Sequence, residues 1–524
     1  MSMQTDESFF SNDERVFIEL EELKLKDVQN NEKIKALSEE NAWLLEQIKE
    51  LSRNRLGKKS ERWESQEQLK FNEAECESIK PDFSESAKEE REEAEEEITV
   101  PGHKRKRGHR KPLPESLPRE IIKIELPIEE QVSADGTPLK IIGWETSEKL
   151  KYEPAKMSII EYQRAKYGFD SGDYEKTAPP IPSLIPKGIA TPELLAAIIV
   201  SKYADALPLY KMEEIFLRSG IELSRGTMAR WVIAVAKACQ PIWNILSDRW
   251  RESFYVSCDE TRTQVLKEKD RKAEMQSWMW VRSTPYGPKK IILFDYSVSR
   301  SGAEASKLFL DYKGTVQCDG LDSYNKVESE DVIRIGCNMH GRSKFEKAVV
   351  NGAKAGQSLG EKGLGFYKII YDLEEEIKTK PPEEKCKIRL EVAKPVFEEM
   401  KAWVEKNKSK VPKKSKISQA FTYFENEYEY LIGYLKDGRF NPDNGFTERA
   451  IRKFAIGRNN WLFSDTEAGA DASALLYSFV VSAKVNGINP YRALVQIFTE
   501  LPKAKTIEDF ETLADLLLTP EPRL

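Results

Sequence analysis

The stretch that most constrains this chain is Phe254–Thr261, FYVSCDET. Phe254, Tyr255 and Val256 have the apolar and aromatic character of a buried strand, and the run ends in adjacent carboxylates, Asp259 and Glu260. The pattern predicts an acid held rigidly at the tip of a buried strand, where a metal ion can reach it. A second strand-like run, Gly314–Gly320 (GTVQCDG), places Asp319 at its end. A third acid, Glu448, lies in DNGFTERAIRKF, which reads as a helix. Asn444 or Thr447 supplies its cap, Arg449, Arg452 and Lys453 make it basic, and Gly457 falls just past its end. Three crowded carboxylates repel one another unless cations neutralise them, and magnesium prefers oxygen ligands while keeping water positions open for phosphate. Each acid alone also has a bland reading, because 88 acidic residues in 524 make a strand-end aspartate ordinary.

The order of elements strengthens the first reading. After Asp259 come two strand-like runs, Gln276–Ser283 and Lys289–Ser297, then a helical stretch, Ser299–Tyr312, then the strand that carries Asp319. Strand, strand, strand, helix, strand is the order of a mixed α/β sheet of the ribonuclease H-like kind. Between Asp319 and Glu448 the pattern is mostly helical, as in Tyr367–Lys378 and Lys394–Lys408, so an α-helical insertion is expected at about 343–438.

Composition bounds the surroundings. Lys and Arg number 82 against 88 acids, a net charge of −6 that is not the profile of a general nucleic-acid binder; local patches decide that contact. The N-terminus, MSMQTDESFF, lacks a basic stretch before an apolar one, and Leu194–Val200 is far short of a membrane span. The six cysteines (76, 239, 258, 318, 337 and 386) form no CxxC pair, which points to reduced thiols in a cytoplasm.

Within 16–51, Ile34, Leu37, Asn41, Leu44, Ile48 and Leu51 are spaced 3, 4, 3, 4, 3, an a/d seam with Asn41 at an a position. A two-stranded coil and a lone amphipathic helix packed on its own protein are both open. Glu89–Glu97 is an acidic run without an apolar face, and His103–Lys111 (HKRKRGHRK) is strongly basic: a phosphate grip, an internal partner for the acidic run, or a solvated tail. A β-rich module follows, and a proline-rich connector, Thr177–Gly188, leads into helices. There Gly220 and Ser224 fit the C-cap and N-cap of a helix-turn-helix, which would face Arg225, Thr227 and Arg230 toward DNA; a helical hairpin without DNA contact is the other reading. The expected divisions are a coiled coil at 1–60, a charged linker at 61–111, the β-rich module at 112–183, the helix-turn-helix region at 184–250, the catalytic core at 251–463 and C-terminal helices at 464–524.

Five motifs carry a resemblance: Cys258–Thr261 (CDET), Phe294–Gly302 (FDYSVSRSG), Gln317–Asn325 (QCDGLDSYN), Gly336–Phe345 (GCNMHGRSKF) and Asp443–Phe463 (DNGFTERAIRKFAIGRNNWLF). Together they resemble the transposases of the insertion sequence 66 family, members of the DDE superfamily. The resemblance implies a catalytic and metal-binding triad of Asp259, Asp319 and Glu448 holding two divalent ions, magnesium or manganese. It implies cleavage of double-stranded DNA at element ends and transfer of the freed 3′-hydroxyl into target DNA, by at least a dimer, with helper proteins of the same element a possible requirement, in a prokaryotic cytoplasm at the nucleoid. Arg449, Arg452, Lys453 and Arg458 are then phosphate contacts. The alternatives are a catalytically inactive or repurposed DNA-binding regulator and a ribonuclease H-like structure-specific nuclease.

Two points depart from the family or stay open. The family's β-rich module usually binds zinc through paired cysteines, but Val132–Pro138 (VSADGTP) and Gly168–Glu175 (GFDSGDYE) stand in their places, so no structural zinc is expected. Cys337 and His340 form a CxxH after the strand-like VIRIG. They read either as a packed thiol and a polar histidine or as accessories that position the active site or DNA; a zinc site needs two more ligands. Trp461 reads as a core tryptophan before a base-stacking one.

Overall fold

The computed structural model describes residues 157–349 and 358–520, apart from 165, 169–173, 178, 179 and 187. The heptad seam, the charged linker with its basic run, and most of the β-rich module lie outside the described residues. The chain divides into two units, with Pro179 closing one and Pro180 opening the described part of the other. In the first, β1 (Lys166–Gly168) pairs antiparallel with β2 (Tyr174–Thr177), Lys166 opposite Thr177.

The second unit opens with four helices. In α1 (Pro192–Tyr203) the Thr191 hydroxyl accepts from the Leu194 N–H at 3.3 Å, and Leu195, Ile198 and Ile199 are buried. The chain turns after α2 (Leu209–Arg218) at Gly220, whose φ of +78° suits a residue without Cβ. Ser224 caps α3 (Arg225–Ala238) by accepting from the Thr227 N–H at 3.2 Å, and α4 (Gln240–Arg251) leads to the sheet.

That sheet has the order β5-β4-β3-β6-β7. Strands β3 (Tyr255–Lys267), β4 (Gln276–Ser283) and β5 (Ile292–Ser297) are antiparallel neighbours. Helix α5 (Gly302–Leu308) then crosses to β6 (Gly314–Cys318), which runs parallel to both β3 and β7 (Val332–Gly336). The acids do not sit at the tip of β3, as the sequence suggested; the strand continues through them to Lys267, with Asp259 opposite Val281 of β4. What ends is the other ladder. The parallel pairing with β6 stops at Ser257 opposite Gln317, and Asp259 and Asp319 each follow their paired residue by two. A period of two in strands puts both acids on one face, level with each other, where β3 and β6 part.

From β7 the chain enters a helical insertion of α6 (Asn338–Lys347), α7 (Leu359–Glu376), α8 (Pro382–Ile388), α9 (Lys394–Asn407) and α10 (Lys416–Leu431). Its core of Phe345, Phe366, Tyr367, Phe397, Trp403, Phe421 and Phe424 is continuous with Tyr255 and Ile335 of the sheet.

Helix α11 (Gly445–Trp461) returns to the sheet, β8 (Ser464–Thr466) pairs with the far end of β3, and α12 (Glu467–Val485), α13 (Pro490–Glu500) and α14 (Ile507–Asp515) close the unit. Ser478 and Ser482 of α12 accept from the Phe294 and Ile292 N–H groups at 2.8 and 2.9 Å, so the outer edge of β5 is covered instead of being left open to pairing.

Helix α11 corrects two sequence expectations. It runs past Gly457 to Trp461, because Gly457 is needed within the helix: a Cβ there would lie 2.2 Å from the Tyr477 hydroxyl and 2.3 Å from the Trp461 ring. Asn444 stands at the helix start without a side-chain cap, since its amide donates to the Cys258 carbonyl at 2.9 Å.

Candidate active site

Three elements carry the three acids, and the charges of Glu448 and Asp319 both act on Asp259. Asp259 comes from β3, Asp319 from the end of β6 and Glu448 from the first turn of α11. The position of α11 is set by buried hydroxyls. Thr447 lies 2.6 Å from Ser257 of β3 and 2.7 Å from Ser283 of β4, and the two serines are 2.9 Å apart. This knot, with the Asn444 amide on the Cys258 carbonyl, fastens the first turn of the helix across two strands directly before Glu448.

The electrostatics record the crowding. Burial first, then the charges of Glu260, Glu448 and Asp319, push the Asp259 carboxyl well above the usual carboxylate range. Asp259 accepts one hydrogen bond, from the Glu260 N–H at 2.8 Å. Glu260 is pushed up to about 8 by burial and then by Asp319, against the Tyr324 hydroxyl that donates to it at 2.8 Å and Arg300 at 3.9 Å.

Asp319 is held from both sides. Its carboxylate accepts from the Leu321 N–H at 3.0 Å, and its main-chain carbonyl accepts from Arg334 of β7 at 2.9 Å. Arg334 is buried, also donates to Asn325 at 2.7 Å, and pairs with Glu427 of α10. Gly320 lets α10 close on this loop: a Cβ there would lie 2.7 Å from the Tyr423 ring and 3.0 Å from the Glu427 carboxyl carbon.

Glu448 faces a second group. Cys337 precedes α6 and His340 lies within its first turn, so the i, i+3 spacing puts both on one side of the helix. The Cys337 thiol is 3.7 Å from Glu448 Oε1, and His340 Nδ1 is 3.5 Å from the same oxygen. Burial pushes the Cys337 thiol up, and the charges of Glu448 and Asp443 act in the same direction.

The basic candidates divide. Arg449 and Lys453 are exposed on α11, and Arg452 is half-buried there. Arg458 is engaged by β3: it donates to the Arg262 carbonyl and to the Thr261 hydroxyl at 3.3 Å, so it ties helix to strand instead of reaching outward. Arg225 and Arg230 are exposed on α3, outside the acid cluster, and Arg230 donates to the Thr227 hydroxyl at 3.1 Å. Trp461 is half-buried, with Lys202 Nζ 3.8 Å from its ring centre and Tyr203 and Tyr477 against it.

The family model described as "Transposase IS66 family" matches residues 187–472, more than half of the chain. This chain belongs to the IS66 transposase family. The matched region contains all three acids, Cys337 and His340. A second model, "Transposase C of IS166 homeodomain", matches residues 43–122, outside the described residues. Relatives come from Sinorhizobium fredii (strain NBRC 101917 / NGR234). "Uncharacterized protein y4qI" is 31% identical over 406 residues, covering 75% of each chain. "Uncharacterized protein y4jD" is 29% identical over 416 residues, covering 76% of this chain and 80% of the relative. No helix among the described residues of this IS66 family chain is long and apolar enough to cross a membrane.

Residue-by-residue reading missed the groups that hold the acids of this IS66 family site. Ser257, Ser283 and Thr447 are ordinary small polar residues until β3, β4 and α11 meet. Arg334 and Glu427 lie 93 positions apart and carried no local signal.

Proposed function

We propose that this protein is a DDE transposase with a ribonuclease H-like core, acting on double-stranded DNA. One observation carries the reading: Asp259 of β3 is a buried carboxyl raised by its burial and then by the charges of Glu260, Glu448 of α11 and Asp319 after β6, so acids from three elements act on one another at a cost to the folded state. Such crowding is retained where cations relieve it. The all-oxygen donor set of Asp259, Asp319 and Glu448 fits hard divalent ions, magnesium or manganese, and those residues would hold them. Bound there, the ions would supply neutralisation of charge at the reacting phosphate.

The chain's own residues do the rest. Ser257, Ser283 and Thr447 anchor the helix start directly before Glu448, and Arg334 anchors the main chain at Asp319, so both acids stand on fixed backbone. Arg449, Arg452 and Lys453 extend the acid-bearing helix with positive charge suited to phosphate contact, and Arg225 and Arg230 offer a second contact on α3. Arg458 is left out of that set, because β3 occupies it. Joining two element ends calls for at least two protomers, and the heptad seam at 16–51 is the segment suited to pair them.

The test is strand joining by the purified full-length chain, in magnesium, on duplexes that carry the element's terminal inverted repeats. Joined products support the reading. Cleavage without joining indicates a structure-specific nuclease, and binding without either indicates a regulator.

A further inference from the structure

Cys337, His340 and Glu448 are the described residues whose thiol, imidazole and carboxylate ligand atoms lie within 4.8 Å of one another. The sequence supplied only the first two. The third comes from α11, more than a hundred positions later, and completes a mixed sulfur, nitrogen and oxygen set. The separations suit one ion. Tetrahedral zinc, with bonds of about 2.0 Å to nitrogen and oxygen and about 2.3 Å to sulfur, sets neighbouring ligand atoms roughly 3.3–3.5 Å apart. The Glu448 oxygen is 3.5 Å from His340 Nδ1 and 3.7 Å from the Cys337 sulfur, so small movements close the set. Two further features point to a ligand. The buried Nδ1 of His340 has no hydrogen-bond partner, and there is a way in: the His340 side chain is 32% exposed and that of Glu448 15%.

We propose that Cys337, His340 and Glu448 form a second site for a thiophilic divalent cation, zinc foremost, that overlaps the all-carboxylate site at Glu448. Thiolate and imidazole select a borderline-soft ion, whereas the all-oxygen set selects a hard one. Binding displaces the thiol proton, leaves a fourth position for water, and draws Glu448 toward α6. Glu448 is shared between the two sites. A consequence, which rests on the transposase reading, is that zinc withdraws Glu448 from Asp259 and Asp319 and so lowers magnesium-supported cleavage.

The experiment titrates metal-free full-length protein with cadmium, following the ultraviolet thiolate-to-cadmium charge-transfer absorption, and with zinc by calorimetry. One band-forming cadmium per chain is expected. The band should be absent in Cys337→Ser, and zinc affinity should fall by at least roughly tenfold in His340→Gln, where the half-buried imidazole is replaced by a polar side chain. No band in the wild type, or a band unchanged in both variants, overturns the site. In the cleavage arm, each protein is scaled to its own rate in magnesium. Zinc should suppress the wild type and spare His340→Gln; equal suppression of both overturns the sharing of Glu448. Protein that binds cadmium as expected but never cleaves DNA keeps the site and sinks the transposase reading, so the two fail separately.

Discussion

Arg334 donates a hydrogen bond to the main-chain carbonyl of Asp319 at 2.9 Å, although it belongs to the neighbouring strand. The same guanidinium pairs with Glu427 of the helical insertion and reaches Asn325, so the insertion is coupled to the acid through one buried cation. Replacing Glu427 by glutamine keeps the shape and leaves Arg334 without its counter-charge. The expected loss is about 3 kcal/mol in urea unfolding, the scale of a broken buried pair. Arg334→Lys retains charge, but its single ammonium nitrogen cannot span the positions that the two terminal guanidinium nitrogens reach. It should raise the magnesium concentration needed for half-maximal cleavage; an unchanged requirement with reduced stability would make Arg334 structural only.

Thr447 offers a second handle, beside Glu448 but not itself an acid. In Thr447→Val the volume is retained but Ser257 and Ser283 lose their shared partner. The expected cost is about 1–2 kcal/mol of stability. Because the helix start is loosened beside Glu448, cleavage should fall further than end-DNA binding, as gel-shift and nicking assays on one preparation would report.

The acid-bearing elements were legible because their signals are local. FYVSCDET and GTVQCDG each announce a strand and an acid within eight residues, and the helix carrying Glu448 shows its basic face directly. What was not legible depended on pairing between distant segments. β3 continues past Asp259 because β4 pairs with it from Ser257 to Gln264, which the run FYVSCDET does not reveal. Gly457 looked like a stop signal, but a small residue is required there by Tyr477 and Trp461. Cys337 and His340 were visible as a pair, and Glu448 as an acid, yet only the return of α11 makes them neighbours.

Carboxylate repulsion makes a prediction about stability. With divalent ions removed, Asp259→Asn should melt a few degrees above the wild type, since a carboxyl penalised by burial and then by neighbouring acids is replaced by a neutral amide. Added magnesium should raise the melting temperature of the wild type and leave the variant nearly unmoved. Calorimetry with and without chelator checks both.

Lys202 gives a pH dependence of known sign. Burial lowers its ammonium from the ordinary 10.5 to about 8, so the folded protein carries the full cost of the buried charge below pH 8. Between about 8 and 10.5 the folded state has released this proton and the unfolded state has not, and this contribution to stability rises with pH. Lys202→Met should therefore be the more stable protein at pH 7, with the gap closing as pH rises through that window. A constant gap would mean that the contact with Trp461 governs the site instead.

The central claim is that Asp259, Asp319 and Glu448 act as one catalytic group, and single-turnover cleavage of an element-end duplex in magnesium tests it most directly. Asp259→Asn, Asp319→Asn and Glu448→Gln keep the shape of each side chain and remove its charge. Each should reduce cleavage to background while binding the end duplex as the wild type does. Normal cleavage by any one of the three variants would contradict the account.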